Sequence, residues 1–247
     1  LLTVDLASLF PELKDKRVRG RVEGKRVVPY WPRADFERNA ANYANKALVY
    51  VDDPIEGFFL EIQGSGRIAL DDGTVVRLNY ADQNGHPYRS VARVLIDRGE
   101  LTYERSSLQA IQEWARAHPA DVRALLDENP SYVFFRQSEE SAVTYLGVEA
   151  TDGRTIATDP RWFPKGALAF LSFDKPVLEN PDPSRPDSLQ PRRTERSGRF
   201  VLDQDIGGAI KGGGRLDLFW GRGEEARLYA SVVRNRGRLY YLVPREN

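Results

Sequence analysis

From Ser138 onward the chain has no room for long regular elements, because short apolar runs are repeatedly parted by glycine, proline and aspartate. Residues 143–148, 155–158, 168–173, 199–203, 216–220 and 239–243 each read as a strand. Residues 224–234 read as a helix with Ala226, Tyr229 and Ala230 on one side. Pro181, Pro183, Pro186 and Pro191 break the chain from Asn180 to Gly198, which is predicted to be a surface loop. Many short strands with few helices predict a barrel.

The residues before Ser138 are mixed in texture. Residues 48–51, 58–62, 67–70 and 74–80 are predicted strands, and Asp72-Gly73 signals a hairpin because glycine accepts the positive φ of such turns. Ser90 caps a predicted helix with Val91, Val94 and Leu95 inward, ending near Gly99. Ser106 or Ser107 caps a second, with Leu108, Ile111, Trp114 and Ala115 on one face. Pro119 opens a third that carries Val122, Leu125 and Leu126. Asn129-Pro130 stops it, and residues 132–136 return as a strand.

Two acids stand out against this background. Asp203-Gln204-Asp205-Ile206-Gly207-Gly208-Ala209-Ile210-Lys211-Gly212 is followed by Arg215-Leu216-Asp217-Leu218-Phe219-Trp220-Gly221. Asp217 follows Asp205 by twelve positions, enough for two short strands joined by a turn, so both acids can reach one cleft. Paired acids in a cleft suit glycosidic-bond chemistry, where a proton must be given to a leaving sugar oxygen. Aspartate beside glycine is also ordinary turn chemistry. Strand alternation puts Leu216, Leu218 and Trp220 on one face, and Arg215, Asp217 and Phe219 on the other. With the leucines packed inward, Asp217 points outward beside an arginine and an aromatic ring.

Composition narrows the partners. Thirty-six basic and thirty-six acidic residues cancel, so no global field favours nucleic acid or anionic lipid. Cysteine is absent, which excludes disulfides and thiol catalysis, and two histidines are few for a zinc site. No cofactor is expected. No apolar run approaches the roughly 20 residues needed to cross a bilayer. The chain opens with Leu1-Leu2 and holds no methionine, so it reads as a processed or partial polypeptide.

The literal strings resemble the membrane-bound lytic murein transglycosylase A family, with its C-terminal three-aspartate (3D) domain. Its first acid appears in Thr155-Ile156-Ala157-Thr158-Asp159-Pro160, its second as Asp205, its third as Asp217. Phe58-Phe59-Leu60-Glu61-Ile62-Gln63-Gly64-Ser65-Gly66-Arg67 is similar to the family's insert motif. Asn84-Gly85-His86-Pro87-Tyr88-Arg89-Ser90 and Glu128-Asn129-Pro130-Ser131-Tyr132-Val133-Phe134-Phe135 also match family segments. The family carries an earlier segment with a Gly-Tyr-Tyr-Glu-Pro-like stretch, which supplies part of the barrel and has no match in this chain.

The resemblance implies a mainly β protein: a double-psi β-barrel with an inserted mixed α/β domain and a substrate groove between them. Residues 1–137 would be the insert, and 138–247 the C-terminal part of the barrel. The implied reaction cleaves the β-1,4 bond between N-acetylmuramic acid and N-acetylglucosamine, leaving a 1,6-anhydro product. Asp217 would be the single acid/base and Asp205 the catalytic neighbour that keeps it protonated. Asp159, Lys211, Gln63-Gly64-Ser65-Gly66 and Trp220 are candidates to contact substrate. Each also has a plain structural role: Asp159 shapes a turn, Lys211 is a solvated turn lysine, and the glycines serve a tight bend. Trp162, Trp220 and Tyr132 are either sugar-stacking rings or core. His86 is expected to hydrogen-bond within its loop, and His118 to end a helix. The implied partner is the glycan strand of peptidoglycan, with cell-wall enzyme complexes left open; a monomer is expected. The implied place is the periplasm, at the outer membrane. Two rival readings are a non-catalytic glycan-binding barrel and, far behind, an aspartic-protease-like hydrolase, since Ile206 lacks the hydroxyl of Asp-Thr-Gly.

Overall fold

The computed structural model describes residues 2–4, 6, 10–13, 18–103, 105–140, 142–182, 186–189 and 191–245. The chain divides into two compact units, residues 1–100 with 115–139, and residues 101–114 with 140–247.

The first unit opens with β1 (Leu2–Val4), β2 (Val18–Glu23) and β3 (Arg26–Pro29), an antiparallel meander. Gly24, at φ 58°, makes the tight β2–β3 turn. Then come α1 (Arg33–Arg38), a 3-10 segment (Ala40–Lys46) and α2 (Pro54–Gln63). A second antiparallel sheet has the order β4 (Ser65–Ala69), β5 (Val75–Gln83), β6 (Val133–Gln137). Helices α3 (Val91–Asp97), α4 (Leu108–Ala117) and α5 (Val122–Asp127) lie between β5 and β6 in sequence, as their apolar spacing predicts, and α4 as far as Trp114 counts with the second unit. Ser90 Oγ accepts from Arg93 N and Ser107 Oγ from Ala110 N, so of the two serines Ser107 is the one seen capping α4. Asp72-Gly73 turns β4 into β5, with Gly73 at φ 82°.

Two strand expectations fail here. Residues 58–62 lie in α2, because Asp53 Oδ1 caps Ile55 N (2.8 Å) and Glu56 N (3.2 Å), Pro54 starts the helix, and Gly64 ends it at φ 77°. An apolar run as short as Phe58-Phe59-Leu60 fits a buried strand or helix equally, and the caps decide. Residues 48–51 carry no strand; they connect the 3-10 segment to α2.

A buried arginine organises this unit. Arg33 is 3 % exposed and donates to both Glu61 oxygens (2.9 and 2.7 Å) and to Ser131 O (2.9 Å). Its guanidinium lies over the rings of Phe58 (4.8 Å) and Tyr132 (5.0 Å), while Glu61 Oε2 also accepts from Val133 N (2.9 Å). One ion pair thus ties α1, α2 and the start of β6. Asn84 adds a parallel tie: its amide donates to Trp31 O and Pro130 O, and its carbonyl accepts from His86 N and Tyr132 N. His86 Nε2 donates to Tyr30 O at 2.7 Å, the loop role expected of it.

The second unit is an open five-stranded sheet of order β10-β7-β9-β8-β11, half a barrel among the described residues. Its strands are β7 (Thr155–Thr158), β8 (Leu168–Val177), β9 (Arg193–Asp205), β10 (Leu216–Leu218) and β11 (Gly237–Tyr241). Helix α6 (Glu224–Val232) precedes β11. Arg234 donates to Tyr103 O and Ser106 O, which anchors the stretch 101–114 to this unit. Ile156, Ala169, Leu171, Phe173 and Val201 form the core, with Leu216, Leu218, Trp220, Leu239 and Tyr241 packed on it. The alternation expected for 216–220 is therefore the one adopted.

Two expectations need correction. Residues 180–198 are not loop throughout: β8 runs to Val177 and β9 starts at Arg193, paired Val177↔Arg193, with a 3-10 turn at Pro186–Leu189 between. The first third of β9, Arg-Thr-Glu-Arg, is exposed on both faces, so it lacks the apolar alternation that announces a strand. Pro183 and its neighbours 184, 185 and 190 lie outside the described residues. Residues 143–148 form a turn with Gly147 at φ 76°, closed by a single bridge between Val143 and Glu149.

Arg33→Ala should cost about 3–5 kcal/mol, since it leaves the Glu61 carboxylate buried without its partner. Thermal unfolding of variant and wild-type chains checks this, and a midpoint within about one degree of wild type contradicts it.

Candidate active site

The two acids are brought level by a strand that separates them. β9 and β10 do not form a hairpin; β7 lies between them. Ala157 of β7 is opposite Asp217 on one side and Asp205 on the other. Two inter-strand spacings put their Cα atoms about 10 Å apart. Ile156 and Thr158 are fully buried, so Ala157 and the acids level with it face away from the apolar core.

A bulge makes this possible. β7 pairs Ile156 with Asp203 and Ala157 with Asp205, so Gln204 is the extra residue. Thr155 Oγ1 donates to Gln204 Oε1 (2.9 Å), and Gln204 O accepts from Leu146 N (3.2 Å). Asp203 turns inward with no exposure, and Asp205 emerges at the strand end.

The environments of the acids differ. Asp205 Oδ1 accepts from Tyr145 N at 2.9 Å. Burial pushes its carboxyl above the ordinary aspartate value and Asp203 adds to the rise, while the Tyr145 and Ile206 N–H groups and Lys165 pull the other way. Asp217 is half exposed and held by a two-point contact with Arg215, Nε–Oδ1 and Nη2–Oδ2 both 3.1 Å. Arg215 also donates to Ala209 O (3.0 Å). A pair this exposed contributes at most about 1 kcal/mol.

Asp159 is 1 % exposed. It accepts from Arg161 N, Nε and Nη2 and from Gly212 N (2.8 Å), tying the loop after β7 to the glycine loop before β10. The Arg161 guanidinium, then Gly212 N–H, hold its carboxyl well below the usual carboxylate range. Lys211, next to that anchor, is exposed. Trp162 is 66 % exposed, with its indole beside Gly213. Trp220 instead stacks on Tyr229 (5.0 Å), meets Phe173 edge-on (6.2 Å) and lies under Arg199 (5.7 Å). Tyr132 packs among Phe36, Phe134 and Arg33.

Gln63-Gly64-Ser65-Gly66 belongs to the first unit. Gln63 is the exposed last residue of α2, Gly64 takes the left-handed cap, and a Cβ on Gly66 would sit 2.2 Å from Leu60 Cδ1. The motif's glycines thus serve the α2–β4 bend.

Sequence reasoning missed the polar cluster beneath Asp205. Lys165 Nζ reaches Asp203 Oδ1 (2.6 Å), Thr158 Oγ1 (2.6 Å), Thr158 O (3.0 Å) and Asp205 O (2.9 Å). Thr158 Oγ1 and the Tyr241 hydroxyl donate to Asp203 Oδ2. Burial, with the Asp203 carboxylate, raises the Tyr241 hydroxyl above the usual tyrosine range. The available signal was parity: Asp203 shares the inward face of buried Val201 and needs a cation there.

Residues 1–136 match the family model described as the MltA specific insert domain, and residues 154–243 match the 3D domain. The chain is 36 % identical over 198 residues to membrane-bound lytic murein transglycosylase A of Escherichia coli K12, covering 79 % of this chain and 51 % of that protein. The structure resembles MltA from Neisseria gonorrhoeae with a TM-score of 0.74 at 34 % identity, covering 92 % of this chain and 56 % of that one. It resembles E. coli MltA with bound chitohexaose with a TM-score of 0.71 at 32 % identity, covering 90 % and 67 %. The chain spans about half the length of the curated relatives it matches.

The raised Asp205 pKa has a signed consequence. The folded state binds this proton more tightly than the unfolded chain, so the stability it contributes is complete below the ordinary value of 3.8 and is lost as pH rises through the folded-state pKa. Asp205→Asn keeps an acceptor for Tyr145 N–H and removes that drift. The thermal midpoint of the variant relative to wild type should therefore move in the variant's favour between pH about 3 and about 7. A difference that is flat, or moves the other way, contradicts the shift.

Proposed function

The chain belongs to the membrane-bound lytic murein transglycosylase A family, and on that footing we propose that it carries the acid/base site of a peptidoglycan lytic transglycosylase. The observation that carries the reading is the level row Asp217–Ala157–Asp205, which sets two unlike carboxyl groups on one outward face. The bound chitohexaose of the E. coli relative supports a β-1,4-linked amino-sugar polymer as the ligand class.

Asp217 is the acid/base in this reading. Protonated, it gives its proton to the glycosidic oxygen as the bond from C1 of N-acetylmuramic acid to that oxygen breaks. The C6 hydroxyl of the same muramyl residue attacks C1, and its proton passes to the Asp217 carboxylate. The product carries a 1,6-anhydro ring, no water is consumed, and the acid is restored. One carboxyl group serves both steps because the nucleophile is already on the substrate, where proximity replaces a second catalytic acid. Asp205, whose carboxyl burial raises above the ordinary aspartate value, is the second acid of the row and is assigned to support Asp217. Arg215, which pairs with Asp217 in the structure, is the contact that a bound glycan displaces before Asp217 acts as an acid, and the counter-ion of the carboxylate formed within the turnover.

The same reading assigns residues 138–247 to the C-terminal part of a double-psi barrel and residues 1–137 to the inserted domain. Lys211 is the candidate glycan contact of the barrel part, on a loop that Asp159 holds through Gly212 N–H, and Gln63 and Ser65 are those of the insert part. The matching location is the periplasm of a Gram-negative envelope, at the outer membrane. Among the described residues no helix is long and apolar enough to cross a membrane.

The test is digestion of purified sacculi with chromatography of the products. Wild type should release anhydromuropeptides, and Asp217→Asn should lower that rate by at least about 100-fold. Full activity of the variant rejects the assignment of Asp217. Wild-type retention on sacculi without any release makes the chain a glycan-binding module.

A further inference from the structure

We propose that Lys165, charge-paired with Asp203, is a positioning residue for Asp205: it fixes the main chain from which that carboxyl group departs. The proposal rests on the reading of Asp205 and Asp217 as the reactive pair.

The geometry is specific. Lys165 lies between Pro164 and Gly166 in the turn joining β7 to β8. Gly166 takes φ 85° and donates its N–H to Asp203 O (2.6 Å), while Asp203 N donates to Ala167 O (3.0 Å). The turn is thus stitched to β9 at the residue just before the bulge. The Lys165 side chain is 10 % exposed and Asp203 is not exposed at all. An ammonium has three N–H bonds, yet four acceptors surround Nζ: both oxygens of Thr158, one of Asp203 and the main-chain carbonyl of Asp205. One cation therefore gathers the end of β7, the inward acid of β9 and the peptide carbonyl of the outward acid.

Stability alone is a poor reason to keep such a pair. Desolvating two charges is unfavourable, and apolar residues of similar volume often replace a buried ion pair without loss. What the apolar alternative cannot do is hold a carbonyl at a set point. The bulge at Gln204 lets Asp203 point in and Asp205 point out, and a bulge is where a ladder is least constrained. Lys165 bonds on both sides of it. With the carbonyl fixed, the Asp205 carboxyl meets Tyr145 N–H at 2.9 Å. The charged groups that act on Asp205 are Lys165 and Asp203, with opposite signs, so replacing both at once alters position more than field.

The test compares wild type with the double variant Lys165→Met, Asp203→Leu, which leaves no buried charge behind. It has two readouts: exchange of the Tyr145 amide followed by NMR, and steady-state release of anhydromuropeptides. The folded variant should exchange that amide at least about tenfold faster, and kcat should fall by about 10- to 100-fold with KM within about twofold. Unchanged Tyr145 protection in a folded variant overturns the proposal, as does a rise in KM at constant kcat, which would make the cluster a substrate contact. If the apolar pair does not fold, Lys165→Gln with Asp203→Asn takes its place with the same expectations, since the shorter neutral amide falls short of Asp205 O. If neither folds, the cluster is a stability element and the proposal falls. If wild type itself releases nothing, the transglycosylase reading has failed, while the Tyr145 amide still decides whether Lys165 positions Asp205.

Discussion

The pairing of β7 on both its edges is the constraint on which the rest of the site depends. Four residues, Thr155 to Thr158, meet β10 antiparallel on one side and β9 parallel on the other. Parallel neighbours cannot be joined by a tight turn, so the chain between β7 and β9 must make a long excursion, and β8 with its extended hairpin is that excursion. Placing β7 centrally separates two acids that are near in sequence and then realigns them in one row. A plain β9–β10 hairpin would bring the strands into contact but would leave their register to the turn.

The row gives the two acids different mechanical standing. Asp205 emerges over a buried cluster in which Lys165, Thr158, Tyr241 and Asp203 satisfy one another, and its own carboxyl is bonded to a main-chain N–H. Each of those groups is costly to leave unpaired inside, so the cluster persists as a unit or not at all. Among the described residues the Asp217 carboxylate is held by an exposed arginine, in a contact that solvent screens and a ligand can displace. A fixed acid beside a releasable one suits the proposed reading, in which one group exchanges protons with a substrate. Asp159 serves a third purpose: its four N–H bonds hold together the two loops that end the row.

The sequence revealed elements where local chemistry was self-contained. Helices α3 and α4 followed from apolar spacing and capping serines, α5 from apolar spacing after Pro119, and the outward face of Asp217 from the parity of Leu216 and Leu218. Where partners come from far along the chain, reading failed. The Phe58-Phe59-Leu60 run is apolar enough for either element, and only the Asp53-Pro54 and Gly64 boundaries distinguish a helix. The polar start of β9 is a strand because β8 pairs with it, which no local pattern records. Sequence spacing brought Asp205 and Asp217 to one place but by the wrong route, a hairpin rather than a shared neighbour. Lys165 stayed hidden because its partners, Thr158, Asp203 and Asp205, are up to forty positions away.

The central claim is that Asp217 and Asp205 act as one unit across β7. A kinetic double-mutant cycle on Asp217→Asn and Asp205→Asn, read as kcat/KM for anhydromuropeptide release, tests it most directly. Cooperation across the row predicts that the double variant is no slower than Asp217→Asn alone, within about threefold. Losses that simply multiply would mean two independent residues, and would contradict the account.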